Sequence, residues 1–376
     1  MTDKISYVYP IHEKISFNAI SLNHIKYLRE ERYRPVSRDD NDQNDIKIQG
    51  IEIQDIDWSE LGNVALDDST KVLLHPILYP FGSPKQLSQN SRSFSRLLDS
   101  KCKIGGFEVS DFDKMSNLSI EILNKLDLVI VPSNWSKDAY IHSGVKSHIE
   151  VLPHGIPDEF LDDSVADTAN NEIMNLRKRR ENGDILILYF MLHSPYRKGA
   201  NLVTEVMKRI QSKFKNVYLV FKSPGFLDIE CPGVNGIELR NWMDINDTKA
   251  LYDTCDICIC PSRGGGFELN AIESASRGIP SLVPNGGCFL DYIDYVIPIN
   301  ISNREVKLNT WNLVHTGHGF EVDIDNFEEK LTDVINNLEK YKSQFRKRST
   351  DIRNRFSWRN IVDTLERYLG KYEFIG

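Results

Sequence analysis

The sequence predicts an α/β protein made of two domains, each built on a parallel sheet. With 376 residues, the chain has the length of two domains of ordinary size. The apolar runs 128–131 and 185–191 are typical of strands buried on both faces of a parallel sheet. A short apolar strand, a glycine-rich loop, a helix and a second short strand follow one another over 257–283, and this order predicts a βαβ unit.

Composition excludes several classes of protein. The hydrophobic fraction of 40% and charged fraction of 27% are ordinary for a globular protein, and the net charge of −8 argues against general binding of nucleic acid or anionic membrane. No apolar run is long enough to span a membrane, and the first residues resemble a strand rather than a signal peptide. We therefore expect a cytoplasmic protein, and peripheral membrane contact stays open.

The cysteines favour buried thiols over a zinc site. Cys255 and Cys258 have the spacing of a metal-binding pair, but no second Cys/His pair follows nearby. Cys258 and Cys260 also alternate with isoleucines in the predicted strand, where small thiols pack well. The sequence therefore predicts no metal.

The first half of the chain alternates strands with helices. A strand is predicted at 4–9, a helix from Ser16 or Asn18 to about Arg29, a strand at 51–56 and another from 71 that ends at His75. Ends of parallel strands open onto the ligand crevice, so His75 is a candidate site residue. The alternative is a loop histidine bonded to the backbone.

Two carboxylates follow the next predicted strand, 103–107. They are Glu108 and Asp111, and the alternative to a role in the cleft is a solvated turn. A helix is predicted at about 114–125, then the strand 128–131 and a helix that begins at Ser133 or Asn134. The strand 149–152 ends at a proline, and the glycine after His154 permits a sharp turn. We predict the domain boundary near residue 157.

The second domain begins with a surface helix within 162–181 and the strand 184–191. Arg197 and Lys198 lie between that strand and a helix predicted at 201–214. Two adjacent cations there suit a diphosphate, because arginine offers a planar fork and lysine a point charge; the alternative is a solvated basic turn. Further helices are predicted at 247–253, 326–341 and from 357.

The stretch 261–280 is the most informative in the chain. Gly264, Gly265 and Gly266 leave backbone N–H groups free to approach a ligand closely, and a helix start adds more N–H groups and a positive dipole end. The combination favours a phosphate. Glu268 is predicted in the first helical turn. Glu273 either pairs with the cation four residues later or accepts hydrogen bonds from a ribose diol.

The pattern Pro-Ser-x-x-x-Gly-Phe-Glu-Leu-x-x-x-Glu-x-x-x-x-Gly-x-Pro resembles the nucleotide-sugar signature of retaining glycosyltransferases of family 4. Family blocks also match at 108–135 (E-x-x-D … P-S-x-W), at 151–160 (V-x-P-H-G) and at Lys198-Gly199. In that family two glutamates stand eight apart; Glu273 matches the second, and the first position falls on Gly265. By count the family's diphosphate arginine falls on His193, which leaves Arg197 as the nearby cation.

The resemblance implies the GT-B fold, in which two Rossmann-like domains face each other across an interdomain cleft. Residues 1–157 would form the acceptor-side domain, joined by the last helix, 357–376, and residues 158–356 the nucleotide-sugar domain. The implied activity is transfer of a hexose, with retention, from a UDP- or GDP-sugar to a hydroxyl of a glycan, lipid or protein-linked acceptor. No cofactor and no metal would be required.

The resemblance assigns roles to residues throughout the predicted cleft. They are His75, Glu108 and Glu268 as catalytic residues; Arg197, Lys198, Gly264, Gly265 and Gly266 at the donor diphosphate; Glu273 at the ribose; and His154, His193, Phe267 and Leu269 elsewhere in the cleft. Two alternatives stay open. One is a sugar-nucleotide-binding protein without turnover, favoured by Gly265; the other is a different GT-B enzyme, such as an inverting transferase or an epimerase.

Overall fold

The computed structural model describes residues 4–30, 32–34, 46–48, 50–223, 231–307 and 313–376. Its first half contains these strands and helices: β1 (Lys4–Tyr9), α1 (Ser16–Arg29), β2 (Arg32–Arg34), β3 (Ile46–Ile48), β4 (Glu52–Asp57), β5 (Lys71–Leu74), α2 (Pro84–Leu98), β6 (Lys103–Phe107), β7 (Lys114–Met115), α3 (Asn117–Leu123), β8 (Leu128–Val131), α4 (Asn134–Ser143) and β9 (His148–Val151).

The second half continues the alternation. Its elements are α5 (Asn171–Glu181), β10 (Ile185–Phe190), α6 (Pro195–Lys198), α7 (Ala200–Lys213), β11 (Val217–Lys222), β12 (Gly236–Leu239), α8 (Ile245–Thr254), β13 (Ile257–Ile259), α9 (Leu269–Ser276), β14 (Ser281–Pro284), β15 (Ile297–Ile299), β16 (Ile301–Lys307), β17 (His315–Thr316), β18 (His318–Val322), α10 (Ile324–Asn336), α11 (Leu338–Arg355) and α12 (Trp358–Lys371).

Two parallel sheets organise these elements, which confirms the predicted α/β class. The N-terminal sheet has the strand order β4-β1-β5-β6-β8-β9, and the C-terminal sheet has the order β12-β11-β10-β13-β14-β15. In the C-terminal sheet β10 lies between β11 and β13. The loops after β10 and β13 therefore leave the same edge of the sheet side by side, as parallel strands require.

Each sheet has its own buried core. One cluster of apolar side chains surrounds the C-terminal sheet, and two others cover the faces of the N-terminal sheet. The last helix, α12, contributes Trp358, Val362 and Leu365 to an N-terminal cluster, as the resemblance implies. The predicted division at residue 157 stays a prediction.

The chain crosses between the two sheets at closely packed points. Ile156 donates its N–H to the carbonyl of Phe356 at 2.7 Å. A Cβ on Gly155 would lie 2.3 Å from the Trp358 ring, so only glycine lets the indole pack there. The predicted sharp turn at Gly155 thus serves the close approach of α12.

Three predicted helices differ from the structure. Residues 114–125 begin as the short strand β7, because Lys114 and Met115 pair antiparallel with Thr316 and His315 of β17. The helix expected within 162–181 forms only from Asn171. The helix expected over 326–341 is interrupted at Asn337, whose φ and ψ are −120° and 30°, and α11 continues to Arg355. Long-range pairing in the first case is invisible to local periodicity.

Residues 313–322, here called the crossing segment, connect the two halves. Strand β18 pairs with β16 on the C-terminal side, whereas β17 pairs with β7 on the N-terminal side. A Cβ on Gly317, whose φ is +100°, would lie 2.1 Å from Asp113 Oδ1.

Among the described residues, no helix combines the length and apolar composition that crossing a membrane requires.

Candidate functional site

The turn after β10 presents its two cations toward the loop after β13. Gly199 has a φ of +81°, and a Cβ there would lie 2.3 Å from the carbonyl oxygen of Pro261. A larger residue would push this turn, which forms α6, away from the 261–266 loop. Glycine at position 199 is therefore what allows the two loops to touch.

Arg197 lies between residues 264–266, here called the glycine loop, and the N-terminal sheet with its loops, here called the N-terminal side. Its Nη1 donates to the carbonyl of Gly264 at 2.8 Å and lies 3.3 Å from Asp111 Oδ1. The side chain is 6% exposed, so the solvated-turn alternative is wrong. Burial alone would raise the pKa of Asp111, but the Arg197 guanidinium and neighbouring positive charges hold that pKa below its ordinary value.

Lys198 forms a buried ion pair with Glu268. Its Nζ lies 2.7 Å and 2.6 Å from the two carboxylate oxygens, and the side chains are 14% and 4% exposed. The Ser262 hydroxyl donates to the same carboxylate at 3.0 Å. An ammonium group has three donors, so Lys198 keeps one N–H for a ligand while it holds Glu268.

Glu268 occupies the space that a side chain at position 265 would need. A Cβ built on Gly265 would lie 2.8 Å from Glu268 Oε1. Helix α9 begins at Leu269, so Glu268 precedes the helix, and the prediction that it lies in the first turn is wrong. Because it precedes the helix, its side chain folds back over the loop to Gly265 and Lys198.

The amide donors of the glycine loop have no acceptor in the part of the chain that the structure describes. None of the described residues accepts a hydrogen bond from the backbone N–H of Gly264, Gly265 or Gly266, although all three residues are buried. Buried N–H groups normally have a partner. Orphan amides beside Arg197 and Lys198 therefore make this loop the candidate anion-binding surface, and diphosphate binding there stays a prediction.

Gly266 packs directly against the N-terminal side. Its carbonyl accepts a hydrogen bond from the Ser133 hydroxyl at 2.7 Å, and a Cβ there would lie 2.7 Å from the Val109 Cβ. Glu108 lies just before this contact and is 4% exposed; it accepts from the N–H groups of Leu78 and Val109. Burial raises its pKa to about 7. The solvated-turn alternative for Glu108 is thus wrong, and its catalytic role stays a prediction.

His75 lies in an aromatic pocket of the N-terminal side. Its Nδ1 is 2.8 Å from the Ser21 hydroxyl and 3.3 Å from the Tyr7 hydroxyl, and the His24 ring stacks on it at 5.8 Å. Burial lowers its pKa well below the ordinary value. The described hydrogen-bond partners of the His75 ring are side chains, whereas its backbone N–H donates to the carbonyl of Val8 at 2.9 Å. The residue is 1% exposed.

The remaining predicted cleft residues surround the two loops. The His154 ring meets Phe267 edge-on at 5.1 Å, so these two join the two sides, and burial lowers the His154 pKa to about 3. His193 lies beside Arg197, with Nδ1 3.4 Å from Nη2. Partial desolvation and the charges of Arg197 and Lys198 lower its pKa. Leu269 is the first residue of α9.

Glu273 does not pair with Arg277. Its carboxylate accepts a hydrogen bond from the Tyr252 hydroxyl at 2.8 Å, whereas Arg277 Nε donates to Asp253 at 2.8 Å. Both partners come from α8, which the helical spacing within α9 cannot reveal. Burial raises the pKa of Glu273 to about 7. The ion-pair alternative is therefore wrong, and ribose binding stays a prediction.

We expect Glu273→Gln to weaken nucleotide binding without lowering the melting temperature at pH 8. A carboxyl group whose folded pKa is raised costs stability as pH rises from the unfolded value of about 4.5 toward 7. The amide does not ionise and removes that cost, so the melting temperature of the variant should rise relative to that of the wild type as pH increases across this range. Melts from pH 4.5 to 8 and titration with UDP, GDP and ADP test this. A large loss of stability at pH 8 would instead make the carboxylate structural.

Comparisons with known proteins relate this chain to glycosyltransferases. Residues 237–365 match the model of a family described as Family 4 Glycosyltransferase in conflict systems. "Uncharacterized protein 356" of Sulfolobus islandicus rod-shaped virus 1 is 25% identical over 99% of both chains. "Putative glycosyltransferase 45" of a Sulfolobus islandicus filamentous virus is 28% identical over 70% of this chain and 73% of its own.

Solved structures decide the fold. A trehalose-6-phosphate protein from E. coli bound with UDP-2-fluoro glucose superposes with a TM-score of 0.66, at 10% identity and 99% coverage of both chains. A trehalose-phosphate synthase from Burkholderia xenovorans in complex with glucose-6-phosphate gives 0.63 at 12% identity, covering 98% of this chain and all of the other. The predicted GT-B fold is thereby confirmed. The family match and the viral relative carry the enzyme class. The chain is a GT-B glycosyltransferase, as predicted.

In this glycosyltransferase the structure groups most predicted donor-site residues and separates two others. Arg197, Lys198, Glu268 and the glycine loop touch one another, whereas Glu273 lies beyond them on α9 and His75 lies within the N-terminal core. Sequence reasoning missed Arg263, a buried cation next to the glycine loop. The only local signal was a charged residue directly before the three glycines, four positions after the end of β13.

Proposed function

We propose that this glycosyltransferase transfers a sugar from a nucleoside-diphosphate sugar to an acceptor hydroxyl, with retention of the anomeric configuration. The observation that carries the proposal is the set of three buried amides at 264–266 beside Arg197 and Lys198, none of which has a partner among the residues that the structure describes. A departing diphosphate gains negative charge as its bond to the sugar breaks. Fixed donors aimed at that charge lower the barrier most effectively in a water-poor site.

Each neighbouring group has a place in this proposal. Arg197 and Lys198 contact the diphosphate, and Glu268, held within reach of Lys198, contacts the donor sugar. Glu273 accepts hydrogen bonds from the ribose, in exchange for the Tyr252 hydroxyl. His75 and Glu108 act on the side of the acceptor. The side-chain cations and amides supply the positive potential, so the proposal includes no metal ion and no cofactor.

The finer parts of the proposal rest on similarity. Retention follows from the resemblance of residues 261–280 to the retaining family 4 signature. A UDP-sugar is the first donor to test, because the E. coli neighbour carries a UDP-sugar analogue. The predicted acceptor is a glycan or a lipid- or protein-linked sugar, and the predicted location is the cytoplasm.

We expect the purified protein to consume at least one sugar nucleotide from a panel of UDP-, GDP- and ADP-sugars, with and without EDTA. Release of the nucleoside diphosphate reports turnover, and proton NMR of the transferred sugar reports its anomeric configuration. Retention and indifference to EDTA support the proposal. An inverted product favours the inverting alternative, and tight binding without turnover or hydrolysis across the panel contradicts sugar transfer.

A further inference from the structure

Arg263 is a buried cation that the proposed chemistry does not use. It follows β13 and precedes the glycine loop, and its side chain is 1% exposed. Arginine is almost never buried to this degree unless it is paired. Its Nε donates to Glu321 Oε1 at 2.8 Å. This ion pair neutralises the charge, but it does not explain why Nη1 points away from Glu321.

The other end of the guanidinium binds the turn that carries the diphosphate cations. Nη1 donates to the carbonyl of Tyr196 at 2.6 Å and to Asn201 Oδ1 at 2.8 Å. The group also lies over the Tyr196 ring, 4.2 Å from its centroid. These contacts bracket residues 197 and 198, so the guanidinium holds the turn on both sides of the two cations.

The backbone of Arg263 extends the same connection. Its N–H donates to the carbonyl of Arg197 at 2.7 Å, and its carbonyl accepts from the N–H of Phe320 at 2.9 Å. Phe320 and Glu321 belong to the crossing segment, whose β17 pairs with the N-terminal side. One residue therefore joins three parts of the molecule. They are α6 with Arg197 and Lys198, here called the cationic turn; the glycine loop; and the crossing segment, which contacts the N-terminal side.

We propose that Arg263 is a positioning residue: it fixes Arg197 and Lys198 beside the amides of the glycine loop without touching the donor itself. This inference rests on the proposed function for the identity of the ligand, though not for the placement of the cations. A planar fork can bind Glu321, the Tyr196 carbonyl and Asn201 together. Arg263→Lys keeps the charge but replaces the two separated nitrogens, Nε and Nη1, by a single one, which cannot reach Glu321, the Tyr196 carbonyl and Asn201 together.

The experiment compares Arg263→Lys with Arg277→Lys, a matched control. Arg277 is also buried, with a side-chain exposure of 4%. It binds Asp253 and the carbonyls of Phe160 and Ser164, away from the cationic turn. Both variants should lose some thermal stability, so a melting curve alone does not distinguish a positioning role from a structural one.

Two further measurements make that distinction. We expect Arg263→Lys to weaken binding of the nucleoside diphosphate that the wild type prefers among UDP, GDP and ADP by about tenfold or more, and Arg277→Lys to leave it unchanged. The second measurement is the pKa of His193, followed by NMR and assigned with His193→Asn. Because partial desolvation and the charges of Arg197 and Lys198 lower this pKa, it reports whether the two cations are in place when no ligand is bound. In Arg263→Lys its pKa should rise toward the ordinary value, because Arg197 and Lys198 move away; in Arg277→Lys it should stay low.

Equal effects of the two variants on both measurements would overturn the inference. If the wild type binds none of the three nucleotides, the proposed function fails, and the His193 titration still decides the role of Arg263. A changed His193 pKa in Arg263→Lys alone supports the positioning role. An unchanged His193 pKa in both variants contradicts it.

Discussion

Lys198→Met should lose about 3–5 kcal/mol of unfolding free energy, together with nucleoside-diphosphate binding. The substitution leaves the Glu268 carboxylate, which is 4% exposed, without its counter-ion. A buried charge with no partner is among the most destabilising changes a point mutation can make. Urea denaturation at pH 7.5 measures the stability, and calorimetric titration with UDP, GDP and ADP measures the binding.

The control for this prediction is the double variant Lys198→Met with Glu268→Gln. Removing both charges should restore most of the stability, because no uncompensated ion remains. Nucleotide binding should stay lost, because the cation that meets the diphosphate is still missing. The exposed residue Lys208, changed to Met, provides a surface control. If the double variant binds nucleotide as the wild type does, Lys198 serves only as the partner of Glu268.

The second large effect concerns Gly265 and Glu268. We expect Gly265→Glu alone to be destabilised and inactive, because its Cβ would lie 2.8 Å from Glu268 Oε1 and would displace that carboxylate from Lys198 and Ser262. Glu268→Gly alone leaves the largely buried Lys198 ammonium without its partner, so it should lose stability. Its folded fraction should also lose roughly 100-fold or more of the turnover rate, since the change removes a preorganised group at the reaction site. The exchange variant with Gly265→Glu and Glu268→Gly should recover part of that rate, because the space vacated by the Glu268 side chain admits one at 265 that again carries a carboxylate.

Steady-state kinetics with the preferred sugar nucleotide tests the exchange. The matched control combines Gly265→Ala with Glu268→Gly, which fills the space without a carboxylate and should stay inactive. Full activity in Glu268→Gly would show that the carboxylate has no part in turnover. Activity in the control equal to that of the exchange variant would show that shape, rather than charge, matters at this position.

Much of the fold follows from local sequence. The apolar runs that become β8 and β10 have no polar residue to face solvent, so burial in a parallel sheet is their one stable outcome. Glycines that are required by tertiary packing were harder to recognise from the sequence. Gly155 and Gly199 are required because Trp358 and Pro261 approach them, and no local pattern reveals a neighbour 60 or more residues away.

The candidate site divides in the same way. Arg197 and the glycine loop were predictable, since the loops after adjacent parallel strands must meet. The partner of Glu273 was not predictable, because helical spacing offers Arg277 while the fold brings Tyr252 from α8. Gly265, at the position of the family's first glutamate, suggested from the sequence that the site lacks a carboxylate. Only the backbone geometry before α9 explains how Glu268 reaches the same space.

The central claim is that the amides of Gly264–Gly266, with Arg197 and Lys198, bind a donor diphosphate. A crystal structure of the protein with its preferred nucleoside diphosphate tests this most directly. The claim predicts phosphate oxygens within about 3 Å of those amides and of at least one of the two cations. A nucleotide bound elsewhere, with the glycine amides still unpartnered and Lys198 held only by Glu268, would contradict it.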